Sequence, residues 1–153
     1  MDAPDLVDSV HVAATPDRVW ALVSDVRRMP DWSPQVDSTR LRSGFDAVAL
    51  GTQFTNRNSD GDLVWTTHAE VVRFEPEREI AFRIEENWVT WSFAITPEEG
   101  GVELVQRREA PDGISDLSLE LTDGFMGGVE AFTASMRAGM RLTLERIKAE
   151  AES

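Results

Sequence analysis

The sequence predicts an α+β fold: about seven antiparallel strands in one sheet, held against a single long C-terminal helix. Three observations lead there. From Val36 to about Gln106 apolar residues recur at every second position, the habit of a sheet with one buried and one wet face. At the end of the chain, Phe125, Val129, Phe132, Met136, Met140, Thr143 and Ile147 are spaced 4, 3, 4, 4, 3 and 4, which places them on one narrow helical stripe. Near the start, Pro16-Asp17-Arg18-Val19-Trp20 and Met29-Pro30-Asp31-Trp32-Ser33-Pro34 interrupt the strand pattern with helical signals.

The elements follow in order. Leu6 to Val12, apolar at Leu6, Val10 and Val12, reads as a first strand. Thr15 suits a helix N-cap, and Pro16 the first helical position, where its missing N–H has no partner to lose. Val19, Trp20, Val23 and Val26 continue at helical spacing, predicting a helix from about Pro16 to Asp25. The segment Met29 to Pro34 holds two prolines in six residues, leaving room for one short turn. Trp32 within it reads as a plug at the edge of the core, because tryptophan more often packs than reacts.

Val36 to Arg42 and Thr52 to Asn58 read as strands around the turn-rich Ser43-Gly44 region. Ser59-Asp60-Gly61-Asp62 signals a tight hairpin, since Asp-Gly tolerates positive φ. Leu63 to Phe74 is a long strand that ends at Pro76. Ile80, Phe82 and Ile84 then alternate with Ala81 and Arg83, and Val89, Trp91, Phe93 and Ile95 alternate with Thr90, Ser92 and Ala94. Pro97-Glu98-Glu99-Gly100-Gly101 turns the chain, after which Val102, Leu104 and Gln106 continue inward. The last helix is expected from about Asp123 to Glu150, roughly 42 Å at 1.5 Å per residue. Glu130, Arg137, Arg141, Glu145 and Lys148 lie opposite its apolar stripe. No repeat, linker or low-complexity tract breaks the chain, so residues 1–153 are expected to form a single domain.

The chain has 153 residues, 41% hydrophobic and 28% charged, with a formal charge of -13. Such an acidic surface repels phosphate backbones and anionic headgroups, arguing against nucleic acid and stable membrane insertion. There is no cysteine, which excludes disulfides and thiolate chemistry. No signal peptide is expected, and the sequence holds no apolar run of about 20 residues. A cytoplasmic protein, monomer or homodimer, is the expectation.

Four stretches carry a family resemblance: HVAATPDRVWALVSDVRRMPDWSP, the Trp65 strand running into VVRFEPEREIAFRI, VTWSFAITPEEGGVEL, and MRAGMRLTLERIKAEAE. Together they resemble the START/Bet v 1-like (SRPBCC) superfamily, in particular its polyketide cyclase/dehydrase and lipid-transport group. The resemblance implies a helix-grip fold, with a curved sheet around the C-terminal helix and two short helices after the first strand. It also implies a cavity between sheet and helix. Trp65, Phe82, Trp91 and Phe93 would contribute from strands, and Phe125, Val129, Phe132 and Met136 from the helix. The plainer alternative is that all eight fill a solid core.

No standard catalytic motif is present. With two histidines and no cysteine the supply of metal ligands is thin, and neither metal nor cofactor is expected. His68 and Glu70 share a strand face and are able to pair. Outward they are solvated surface; inward, His68 is the best general acid/base candidate. Arg57 and Arg83 are the other catalytic candidates, since a cavity arginine binds a carboxylate, phosphate or phenolate through its planar donors. Aromatases of this superfamily are thought to orient poly-keto chains with Arg, Tyr, Ser or Asp groups, and this chain has no tyrosine. Three functions fit: a carrier of a lipid, polyketide or isoprenoid; a polyketide cyclase/aromatase; and a partner-binding domain of the chaperone-activator type. Polar groups converging in a cavity favour the enzyme, an apolar cavity the carrier, and a filled core with an exposed patch the partner domain.

Overall fold

The computed structural model describes residues 5–110 and 128–153, with the backbone alone for residues 128–132. Strand β1 (Leu6–Val12) leads into helix α1 (Pro16–Val23), a 3-10 turn (Val26–Arg28) and the single-turn helix α2 (Met29–Trp32). Then come β2 (Val36–Leu41), β3 (Gln53–Asp60), β4 (Leu63–Glu75), β5 (Glu79–Ile84), β6 (Thr90–Glu98) and β7 (Gly101–Glu109), and finally helix α3 (Gly128–Glu152). The seven strands form one curved sheet in the order β1-β7-β6-β5-β4-β3-β2, antiparallel throughout. This is the expected α+β helix-grip architecture.

Turn chemistry sets the meander. Gly61 and Asp62 join β3 to β4 directly after the Asp60–Leu63 pair, with Gly61 at φ 60, the conformation that a tight primed turn requires at its first central residue. In β4 the register with β5 shifts between Val71 and Arg73. Such a bulge bends a strand and increases its twist, helping the long β4 wrap rather than run flat.

Helix α1 is two residues shorter than expected. Ser24 ends it, and the Asp25 carboxylate instead accepts from the Arg27 amide at 3.2 Å, starting the 3-10 turn. Thr15 has the extended N-cap backbone but makes no side-chain cap to the helix. Its side chain bonds Asp17, which lowers that carboxyl below its ordinary pKa. Trp32 is 3% exposed and belongs to the core, as its plug reading requires, with the Arg28 guanidinium 5.1 Å from its ring. The part of the expected last helix before Gly128, Phe125 included, lies outside the described residues.

Helix α3 packs against β1, β7, α1 and α2, and polar contacts fasten its C-terminal half. Arg141 grips the Asp8 carboxylate and the Ser9 carbonyl of β1. Lys148 donates to the His11 carbonyl at 2.7 Å, and Arg18 of α1 to the Glu150 carbonyl at 2.9 Å. Arg141, expected on the wet side of the helix, is therefore tied along its flank. Beneath these contacts Leu144 and Ile147 are fully buried, in one cluster with Val12, Val19, Val102 and Leu104.

Candidate functional site

One half of α3 meets solid core, and the other half does not. Towards the helix N-terminus, Met136, Gly139, Met140 and Thr143 face a cavity of about 400 Å³. Opposite them the concave face of the sheet supplies Trp65 from β4, Phe82 from β5, and Trp91 and Phe93 from β6. The registers explain the grouping: Phe82 lies opposite Trp91, and Trp91 opposite Arg108. Each inward position is thus flanked by the inward position of the next strand. Phe82 and Phe93 are each 5% exposed, and Phe82 stacks edge-on against Phe54 at 5.4 Å. Val64, 59% exposed, also lines the cavity, which reaches the surface beside the β3–β4 hairpin.

The sequence-predicted site residues divide clearly. Trp65, Phe82, Trp91, Phe93 and Met136 come together on the cavity wall. Phe125 falls outside the described residues, as do the side chains of Val129 and Phe132. His68 lies on the outer parity of β4, away from the cavity lining. Its partner is Glu86 rather than Glu70: Nδ1 lies 2.6 Å from Glu86 Oε2, and Glu86 Oε1 accepts the His68 amide at 2.7 Å. Glu70 instead accepts from Gln53. Arg57 and Arg83 are exposed on the outer face, because their positions alternate with buried Asn56 and Asn58, and with Phe82 and Ile84. His68, Glu85 and Glu86 bring ligand-capable atoms within 4.8 Å of one another, with Glu85 also facing Arg42 at 3.7 Å.

Sequence reasoning placed Gln106 inward and Thr143 on the helix stripe, but named none of the wall's polar residues as site residues. Asn56, Asn58, Gln106, Arg108 and Thr143 are all buried and line the cavity. Three of them are engaged locally. Asn56 accepts from Thr39 at 2.6 Å, Asn58 donates to Thr67 at 3.1 Å, and Thr143 donates to the Gly139 carbonyl at 2.7 Å. The Arg108 guanidinium sits 5.9 Å from the Trp91 ring, and burial pushes its pKa down to about 10. It stays protonated at neutral pH, so the cavity contains a cation. The signal for all but Thr143 was strand parity: Asn56 and Asn58 share the face of Phe54, and Gln106 and Arg108 that of Leu104.

Comparison with known proteins agrees with this architecture. The chain matches the family described as polyketide cyclase / dehydrase and lipid transport over residues 3–152. Among curated proteins, none matches it. Among solved structures it is similar to the di-domain ARO/CYC StfQ of the steffimycin biosynthetic pathway (21% identity, TM-score 0.76), covering 97% of this chain and 50% of that one. It therefore spans half the length of StfQ. It is also similar to the Polyketide_cyc-like protein Cgl2372 from Corynebacterium glutamicum (28% identity, TM-score 0.64), covering 94% of this chain and 88% of that one. The Zhui aromatase/cyclase from Streptomyces sp. R1128 shares 17% identity with a TM-score of 0.73, over 97% of this chain and 93% of that one. With the cavity, the seven-stranded grip and a match along nearly the whole sequence, the chain belongs to the polyketide cyclase/dehydrase and lipid-transport family.

Proposed function

We propose that residues 1–153 form a single domain that binds a hydrophobic small molecule of lipid, polyketide or isoprenoid type, as a carrier or sequestering protein. One observation carries this reading: a cavity of about 400 Å³ walled by Trp65, Phe82, Trp91, Phe93, Met136 and Met140. That volume lies within the usual range for small-molecule sites, and burial of apolar ligand surface supplies the driving force. Flexible methionines on the helix side adapt to irregular ligand shapes. The carrier is read as cytoplasmic, a monomer or homodimer without a cofactor, and the charge of -13 disfavours nucleic acid and anionic membrane as its partners. Among the described residues no helix is long and apolar enough to cross a membrane.

Trp91 and Trp88 provide the test. Trp91 lines the cavity, whereas Trp88, three residues away, is 41% exposed and lies outside it. Removing roughly 80 Å² of ligand contact costs about 2 kcal/mol, close to 30-fold in affinity. Titration with an apolar fluorescent dye is expected to show Trp91→Ala weakened to about that degree and Trp88→Ala unchanged. Equal effects from the two substitutions contradict the cavity assignment.

A second reading, polyketide cyclase/aromatase, is favoured by the buried polar groups on the cavity wall, above all Arg108, whose donors suit the polarisation of a ketone oxygen, and by structural similarity to the ARO/CYC StfQ and the Zhui aromatase/cyclase. On this reading Arg108→Met abolishes ring closure of a poly-keto substrate while dye uptake persists. A partner-binding role gains no comparable support, since it called for a filled core.

A further inference from the structure

Strand β7 changes character where the core gives way to the cavity. Its inward residues are Val102, Leu104, Gln106 and Arg108. The first two are fully buried in the core, and the last two line the cavity. Both polar residues are deeply enclosed, at 7% and 5% exposure, and each has an aromatic neighbour on β6: Phe93 opposite Gln106, Trp91 opposite Arg108. The amides on the far wall, Asn56 and Asn58, are spent on protein partners. Gln106 differs, because its Oε1 accepts no hydrogen bond among the described residues. A buried carbonyl without a donor is costly and rare. The oxygen is enclosed in this side-chain arrangement, and the broad terminal torsion of glutamine allows it to turn towards the cavity.

We propose that Gln106 is a specificity-determining residue that, with Arg108 beside it, selects ligands carrying a hydroxyl on an aromatic ring. The ring lies against Trp91 and Phe93, the hydroxyl donates to Gln106 Oε1, and its oxygen accepts from the Arg108 guanidinium. Any O–H group satisfies the glutamine, but the two aromatic neighbours favour one borne on a flat ring over one at the end of an alkyl chain. This assignment rests on the ligand-binding reading and narrows it from hydrophobic small molecules in general to phenol-type ones.

Displacement of a bound apolar dye from the full chain by 2-naphthol and by 2-methoxynaphthalene tests it, because the ether keeps the ring and loses the donor. Wild-type protein is expected to bind 2-naphthol about tenfold more tightly than the ether, the size of one neutral hydrogen bond made rather than lost. In Gln106→Met that preference falls to about one, because the hydroxyl has lost its acceptor. Equal or reversed preference in the wild type overturns the assignment without recourse to any variant. So does a tenfold preference that survives in Gln106→Met. Failure of the dye itself to bind contradicts the cavity reading from which the assignment starts, and is distinguishable from both.

Discussion

Asp8 and Arg141 show how single residues fix the helix to the sheet. Arg141 donates to both carboxylate oxygens of Asp8, and this contact holds the Asp8 carboxyl below its ordinary pKa, against a smaller opposing push from burial. A carboxyl depressed in the folded state contributes stability above its unfolded pKa and loses it as pH falls through the folded one. Resistance to urea unfolding is therefore expected to fall below about pH 4, with a shallower acid dependence in Asp8→Asn. Partial exposure of both side chains, 31% and 42%, limits the effect to about 1 kcal/mol or less. An identical acid limb in the variant contradicts this role. Arg108 is the opposite case, a charge whose burial disfavours its ionised form. Its parity with Leu104 points it inward, but its charge argues for water, and the sequence reading followed the charge.

The elements differ in how much their sequences disclosed. The long β4, the Gly61 hairpin and the α3 stripe were legible because each has a strong period or a turn residue with no substitute. The end of α1 was not, because a local Asp25 cap competes with an apolar spacing that still looks helical at Val26. The partner of His68 was also out of reach, as Glu86 approaches from the turn after β5 and not along β4. Two glycines allow a paired test. A Cβ at Gly101 meets the Val12 carbonyl oxygen at 2.0 Å, so Gly101→Ala is expected to destabilise by about 2–4 kcal/mol as the β1–β7 edge is forced apart. At Gly139, inside α3, the nearest atom is Pro34 Cγ at 3.7 Å, an ordinary contact. Gly139→Ala is expected to stabilise by up to about 1 kcal/mol through helix propensity. Denaturant midpoints of the two variants moving in the same direction contradict this account.

At the level of the whole molecule, one helix stripe does two jobs. Ile147 and its neighbour Leu144 close a packed core, while Met136, Met140 and Thr143 face open volume. The stripe alone could not reveal that division, since an apolar helix face looks the same over a core as over a cavity. The β4 bulge marks where the strand bends, since its inward side switches from Val71 to Phe74 while Val72 and Arg73 are both exposed. The most direct measurement is a nitrogen–proton correlation spectrum of the tryptophan indoles during titration with an apolar dye. Ligand in the cavity shifts the Trp65 and Trp91 indole signals and leaves those of Trp20 and Trp88 in place. Saturation with dye that moves Trp88 while Trp65 and Trp91 stay fixed would mean the ligand binds elsewhere.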